Sequence, residues 1–232
     1  MLFLLQDVAI DAAGAVEQVP ESKSFIETVF SDPSLLVTMT VLFILLAAAI
    51  FIYIERTLTI RKANADTEQF MREVRSNVLA GDIQRALLLC ESRNDPFAMM
   101  IHKGITRLKS GASLKDIEGS IENVGNLEVY RLERRLPILA SIAGAAPMIG
   151  FLGTVIGMII AFNAIVRAGG EASGVELSEG ISTAMYTTAG GLIVGVIAYL
   201  AYNFLTSAIN RVVFKLELTS NDFIDLLQEP AK

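Results

Sequence analysis

The sequence has very few of the side chains that build enzyme active sites and metal centres. Its 232 residues include one cysteine and one histidine, and only 19% are charged. Cys90 alone cannot form an intrachain disulfide, and in a polar segment it is typical of a small, half-buried apolar residue. His102 has no cysteine or carboxylate cluster beside it, so we predict neither a metal site nor a bound cofactor. No nucleophile–base pair or phosphate-binding loop occurs, which argues against an enzyme.

Charge is also absent from long stretches of the chain. The net charge is −6 with no basic face, which argues against nucleic-acid binding, whereas 53% of the residues are hydrophobic. A helix over residues 35–54 would reach ~30 Å, enough to cross the hydrocarbon core of a bilayer. We therefore predict an all-α membrane protein with three transmembrane helices, at 35–55, 137–166 and 181–209.

The polar segment at 56–136 predicts a helical domain outside the membrane. Its predicted helices cover 58–80, 83–92 and 97–109, and a longer one opens at Ser113. That helix has no strong break before Pro137, which either kinks it or begins a separate helix. The third span is predicted to continue as an amphipathic helix at 210–232, which can pack on the polar segment or on a neighbouring copy.

Basic residues indicate the orientation of the spans. They cluster after the first span, before the second and after the third. The positive-inside rule therefore places 56–136 and 210–232 in the cytoplasm, with 1–34 and the loop 167–180 on the outer side. Segment 1–34 is predicted to be either a short surface helix or a flexible tail. The clustered basic residues are Arg56, Arg61, Lys62, Arg131, Arg134, Arg135, Arg211 and Lys215.

The second and third spans contain no Asp, Glu, Lys, Arg or His. Intramembrane ionisable residues usually mark a proton or ion relay, because a charge inside a membrane is costly. Either this chain conducts nothing, or a partner brings the titratable group. Our hypothesis is that these two helices line a passage across the membrane, with several copies of the chain around it.

Small residues and a proline occupy the uncharged spans. Glycines recur at four-residue spacing on both helices, a pattern that lets helix backbones approach closely in lipid. Pro147 removes one backbone hydrogen bond and frees the carbonyl of Ala143, which favours a kink over a polar notch. The residues predicted to pack or bend the two helices are Pro147, Gly150, Gly153, Gly157, Gly191 and Gly195.

Hydroxyl groups are the polar side chains in the middle of the two spans. A threonine in a membrane helix usually donates to the carbonyl four residues before it, and this structural role is open to each of them. Four threonines away from the cytoplasmic ends of the two apolar helices nevertheless favour a hydrated lining. The candidate ion-pathway residues are Thr154, Thr183, Thr187 and Thr188.

Five stretches of the sequence resemble the MotA/TolQ/ExbB proton channel family. The second span carries A-A-P-M-I-G-F-L-G-T-V-I-G-M-I and the third carries G-I-S-T-A-M-Y-T-T-A-G-G-L-I-V-G, both similar to the family signatures. Further similarity lies in Y-I-E-R-T-L-T-I-R-K-A, L-L-L-C-E-S-R-N-D-P-F-A and L-E-R-R-L-P-I-L-A-S-I-A. Order, spacing and topology resemble the three-span ExbB/TolQ branch along nearly the whole chain.

The resemblance implies a pentamer of ExbB-like subunits around a pair of single-span ExbD-like subunits in the inner membrane of a Gram-negative bacterium. It implies that an Asp of the partner carries the proton, and that ion flow turns the inner pair. Through a TonB-like protein this motion would energise transport across the outer membrane. Thr154 and Thr188 match pore threonines of the family, whereas the family's third-span glutamate is Thr183 here. A relay through a carboxylate of this chain is therefore in doubt.

Two alternatives remain open at the level of sequence. A TolQ-like subunit of the Tol-Pal envelope system would share the same spans, and gene neighbours would separate the two roles. A non-conducting membrane scaffold is compatible with small-residue packing and missing charges. Hydroxyls at the positions of the family's pore threonines speak against the scaffold.

Overall fold

The computed structural model describes residues 33–63, 67–167, 169 and 174–228, and every element in these ranges is an α-helix. The all-α fold is thereby confirmed. The predicted segment 1–34 falls almost entirely outside the described residues. The helices are α1 (Pro33–Ala63), α2 (Thr67–Leu79), α3 (Ile83–Glu91), α4 (Pro96–Lys109), α5 (Leu114–Glu133), α6 (Leu136–Arg167) and α7 (Gly174–Gln228).

Among the described residues, three helices are long and apolar enough to cross a membrane, as predicted. By length and composition, α1, α6 and α7 contain the candidate spans. The 55 residues of α7 give a helix of about 80 Å, far longer than the ~30 Å hydrocarbon core. Because α7 continues unbroken to Gln228, it supplies residues 210–228 of the amphipathic helix predicted at 210–232.

Two helix boundaries differ from the predicted ones. The helix expected to begin at residue 58 is part of α1, which runs on to Ala63, and residues 64–66 lie outside the described ranges. At the other end, α7 begins at Gly174, inside the segment predicted as a loop at 167–180. Both differences have one cause: hydropathy marks where an apolar run ends, whereas a helix continues through polar residues that favour helical backbone.

Three predicted helix starts in the polar domain, at residues 83, 97 and 113, lie within one residue of the observed ones, and each helix is capped. The side chains of Asp82, Asp95 and Ser113 each accept a hydrogen bond from the backbone N–H three residues on, at 3.0, 3.0 and 3.2 Å. Such caps satisfy an N–H group that has no partner inside the helix. Pro137 lies in the first turn of α6, so of the two alternatives it begins a separate helix.

The last part of α7 packs on the polar helices of the same chain. Phe223 is fully buried, and a methyl group added to Gly104 of α4 would lie 2.8 Å from its Cε1 atom. The same methyl would lie 2.7 Å from Cδ1 of Ile121 on α5. The end of α7 therefore anchors the polar domain to the membrane helices. Two alternatives were predicted for segment 210–232, and packing on the polar segment of the same chain is the one observed.

Candidate ion-pathway site

The backbones of α6 and α7 are in direct contact along a line that we call the seam. A methyl group added to Gly150 would lie 2.7 Å from the carbonyl oxygen of Thr187, and one added to Gly191 would lie 2.6 Å from that of Ala146. Carbon atoms cannot approach an oxygen so closely, so these positions hold no side chain larger than hydrogen. The buried small residues on the seam are Gly150, Gly153, Gly157, Gly191 and Gly195.

Pro147 also belongs to the seam. A methyl group on Gly195 would lie 2.5 Å from its Cγ atom and 3.2 Å from the carbonyl oxygen of Ala143, the group that lacks a helical N–H partner because of the proline. The ring thus fills the space left by the missing side chain of Gly195. At this point proline and glycine form one complementary contact between the two helices.

Thr183 and Thr187 are buried, with exposed fractions of 4% and 2%. The Thr187 hydroxyl donates to the carbonyl of Ala184 at 2.7 Å, and its Cβ lies 2.6 Å from the position of a methyl added to Gly153. Thr187 therefore packs into the gap above a glycine. In the single chain, these two threonines face protein and not open space.

Thr154 and Thr188 are only partly buried, and we call them the hydroxyl edge. The Thr154 hydroxyl donates to the carbonyl of Phe151 at 2.6 Å. The Thr188 hydroxyl donates across the seam to the carbonyl of Gly150, one turn before Thr154, at the long distance of 3.4 Å. The weak cross-helix bond leaves the Thr188 hydroxyl able to turn toward another acceptor.

The hydroxyl edge lies away from α1. Gly190 faces α1, because a methyl group there would lie 3.3 Å from Met39 and 3.4 Å from Leu42. Two residues along an α-helix are about 200° apart, so Thr188 points to the opposite side of α7. The structure therefore separates the four predicted threonines into an edge pair, Thr154 and Thr188, and a buried pair.

A junction that the sequence reasoning missed lies where α1 leaves the apolar region. Arg56 is 5% exposed and donates to the carbonyls of Arg131 and Leu132, at 3.0 and 3.4 Å. Glu55 accepts a hydrogen bond from Arg135 at 2.7 Å. These contacts satisfy the last carbonyls of α5 and tie the α5–α6 turn to α1. The positive-inside rule considers only the charge of Arg56. Its hydrogen-bond partners lie some 75 residues away and leave no local pattern in the sequence.

The seam offers hydroxyl and carbonyl groups but no group that titrates near neutral pH. The apolar parts of α6 and α7 carry no Asp, Glu, Lys, Arg or His. On its outward side α6 exposes large apolar residues, among them Met148 at 73% and Phe151 at 67%. Such a surface needs lipid or other protein chains around it. The geometry can hydrate or hydrogen-bond a charge, but a proton acceptor has to come from elsewhere.

Comparison with known proteins agrees with these features. A model of the MotA/TolQ/ExbB proton channel family matches residues 92–218, which include the whole seam and the hydroxyl edge. A biopolymer transport protein ExbB homolog from Methanothermobacter thermautotrophicus is 32% identical over 180 residues, which are 75% of this chain and 62% of that protein.

Shorter matches come from two bacterial proteins. The Tol-Pal system protein TolQ of Haemophilus influenzae is 38% identical over 100 residues, 43% of this chain and 42% of the relative. The biopolymer transport protein exbB1 of Vibrio cholerae is 37% identical over 92 residues, 40% of each chain. The matched region thus spans less than two thirds of each of these three relatives.

The matched region contains the features on which the site depends. The helix α6, the seam residues of α7, the capped helix α4 and the α5–α6 turn fall inside residues 92–218, whereas α7 itself continues to Gln228. The family model describes proton channels, and two of the relatives are named as biopolymer transport proteins. With its three apolar helices the protein is a multi-pass inner-membrane protein. The chain belongs to the MotA/TolQ/ExbB proton channel family.

Proposed function

We propose that the chain is the ExbB-like wall subunit of a proton-driven motor in the inner membrane. Several copies, five by the family resemblance, surround the helices of a single-span ExbD-like partner that supplies a proton-carrying Asp. Proton flow through this assembly energises transport through a TonB-like protein. The observation that carries the proposal is the uncharged seam with a hydroxyl edge on the side away from α1. In this proposal residues 56–136 and 210–232 lie in the cytoplasm, and residues 167–180 face the periplasm.

The edge pair gives the proposal its mechanism. A carboxylate of the partner that loses its proton in the membrane needs hydrogen-bond donors, because an uncompensated charge there is costly. The Thr188 hydroxyl can exchange its 3.4 Å bond to Gly150 for a shorter bond to such a carboxylate. Thr154 keeps its short intrahelical bond and offers its lone pairs to water. Both residues lower the free energy of the ionised carboxylate each time the rotating partner brings it to one copy of the chain.

The buried pair has a different part in the same pathway. Thr183 and Thr187 are the buried threonines of the wall, and the Thr187 side chain fills the space next to Gly153 between α6 and α7. Their positions fix the spacing between the two helices that present Thr154 and Thr188. All four threonines thus remain candidates for the ion pathway. The edge pair would contact the ion route, and the buried pair would set the distance between the helices that form it.

A TolQ-like role is the second candidate, favoured by the 38% identity to a TolQ protein. Both roles share a proton-driven ring and differ in the protein that receives the motion. A non-conducting scaffold is the third candidate. Co-purification with the neighbouring single-span protein, followed by native mass measurement of the ratio, tests the ring directly.

Proton flux through the reconstituted complex tests the conducting role. We expect Thr188→Val to lower the flux about tenfold, since a hydrogen bond to a charged group contributes ~1.5–3 kcal/mol. Thr154→Val should lower the flux less, because Thr154 acts on the carboxylate only through water. Valine keeps the shape of threonine and removes only the hydroxyl. Thr40→Val on α1 is the matched control, because its hydroxyl also donates to its own helix, at 2.7 Å to Leu36.

The outcomes of this experiment separate the candidates. A loss in both edge variants with unchanged flux in Thr40→Val supports the proposed pathway. Wild-type flux in both edge variants would remove the hydroxyls from the mechanism. No measurable flux through the wild-type complex, with the partner present, would favour the scaffold.

A further inference from the structure

An apolar cleft of about 480 Å³ lies between α1 and α7, on the other side of α7 from the hydroxyl edge. Aliphatic and aromatic side chains line it, among them Ala49, Leu200 and Ala201. The rings of Tyr53 and Phe204 lie at its end nearest the polar helices, with centroids 6.0 Å apart. None of these residues takes part in the proposed ion pathway.

A smaller cavity of about 130 Å³ continues the cleft toward the polar domain, and Phe204 lines both. The polar residues among those that line it are Thr57, Arg61 and Arg211. The Thr57 hydroxyl is buried without a hydrogen-bond partner among the described residues. Within the described part of the chain, no carboxylate lines the cavity and none pairs with either arginine.

The two cavities together have the length and polarity of one lipid leaflet. Ile50 in the cleft and Arg61 at the cavity are eleven positions apart on α1, so the axial distance between them is about 16 Å. Half of the hydrocarbon core is ~15 Å thick. A ligand that fills both must therefore be apolar over one leaflet and negatively charged at the end nearest the polar helices.

We propose that the α1–α7 groove binds an anionic glycerophospholipid from the leaflet on the polar-domain side, which is the cytoplasmic leaflet in the proposed orientation. One acyl chain fills the cleft, and the phosphate lies between Arg61 and Arg211 and accepts a hydrogen bond from Thr57. A zwitterionic lipid fits less well, because its ammonium group would meet two guanidinium groups and no carboxylate. Lipid binding at this groove depends on the proposed position of α1 and α7 in the membrane. It depends neither on a partner protein nor on ion conduction.

Native mass spectrometry of the full chain tests the charge of the ligand. The protein is equilibrated in mixed micelles that hold phosphatidylglycerol and phosphatidylcholine with the same acyl chains. We expect wild type to retain more phosphatidylglycerol than phosphatidylcholine. In Arg61→Gln/Arg211→Gln the ratio of the two bound lipids should fall about tenfold or more, because two basic residues beside the anionic group are lost. Arg85→Gln/Arg107→Gln removes two exposed charges elsewhere and should leave it unchanged. Equal loss in both double variants would overturn the site.

A second variant tests the apolar half without any change of charge. Ala201→Leu adds a large side chain in the cleft and should reduce bound lipid while both arginines remain. Unchanged lipid in Ala201→Leu would overturn the acyl-chain assignment. Displacement of the lipid by inorganic phosphate alone would assign the arginines to a free anion. Loss of oligomer mass in Ala201→Leu with no change in lipid would assign the cleft to a second copy of the chain.

Discussion

The two halves of α7 pack in opposite ways. In the membrane half, contact with α6 depends on missing side chains: a single methyl group on Gly191 would lie 2.6 Å from the carbonyl oxygen of Ala146. In the polar half, contact with α4 and α5 depends on a large side chain, since Phe223 is fully buried against Gly104 and Ile121. One helix thus carries two kinds of interface, separated by the junction at Arg56.

The solvent around each half explains the difference. Lipid tails are as apolar as leucine, so burial of a large side chain between membrane helices gains little, and close backbone contact supplies the attraction instead. In water, burial of a phenylalanine contributes on the order of 1.5–3 kcal/mol. The seam should therefore be sensitive to added atoms, whereas the polar half should be sensitive to removed atoms.

The largest effect is expected from a deletion in the polar half. Phe223→Ala leaves a cavity between α4, α5 and α7, and such truncations cost ~3–5 kcal/mol. Hydrogen exchange of the α4 and α5 amides in detergent micelles measures the cost as a lower free energy of opening. The amides of α6 and of the membrane half of α7 should keep their protection, because the cavity lies outside the apolar region.

Phe214→Ala is the matched control for this deletion. Phe214 is on the same helix but is 60% exposed, so its removal leaves no cavity inside the chain. The α4 and α5 amides should exchange in this variant as they do in wild type. If Phe223→Ala and Phe214→Ala exchanged alike, the anchoring of the polar domain through Phe223 would be wrong.

A smaller effect is expected from an addition to the seam. Gly191→Ala places a methyl group 2.6 Å from the oxygen of Ala146 and 2.8 Å from the Cα atom of Gly150, so the two helices must separate. Overpacking of this kind costs ~1–3 kcal/mol. Titration with a denaturing detergent, followed by helical circular dichroism, should show an earlier midpoint, while the α4 and α5 amides keep their wild-type protection.

Gly144→Ala is the control for this addition, because a methyl group there meets no atom within 4 Å. It lies on the same helix as Gly150 and makes the same chemical change. We expect its midpoint to equal that of wild type. An equal shift in both variants would mean that the helix itself, and not contact across the seam, responds to the added methyl group.

The sequence predicts much of this architecture because its signals are local. Uncharged runs of sufficient length identify three spans, and Asp82 and Ser113 mark the starts of α3 and α5, which their side chains cap. The start of α7 at Gly174 was missed, because no change of residue type marks it. Hydropathy alone therefore finds the spans more reliably than the helix ends.

Properties that depend on distant residues were less predictable. Four threonines look equivalent in the sequence, yet two are buried in the seam and two form its edge, which depends on how α6 rotates against α7. Arg56 gives no local sign that it binds carbonyls on α5. The sequence therefore yields the residue types of the site, while their separate roles follow only from the packed helices.

The reactivity of Cys90 tests how tightly the polar half is packed, and it does so in the wild-type protein, where no stability is lost. Burial, and then the nearby Asp95 and Glu91, raise the pKa of its thiol to about 12. A raised pKa keeps the thiol protonated at pH 8, so it should alkylate about a thousandfold more slowly than a thiol with the ordinary pKa near 8.5. Iodoacetamide modification followed by mass spectrometry measures the rate. Cys90→Ala/Lys109→Cys moves the single thiol to an exposed position as the control, and equal rates in the two proteins would show that the core around Cys90 is open to solvent.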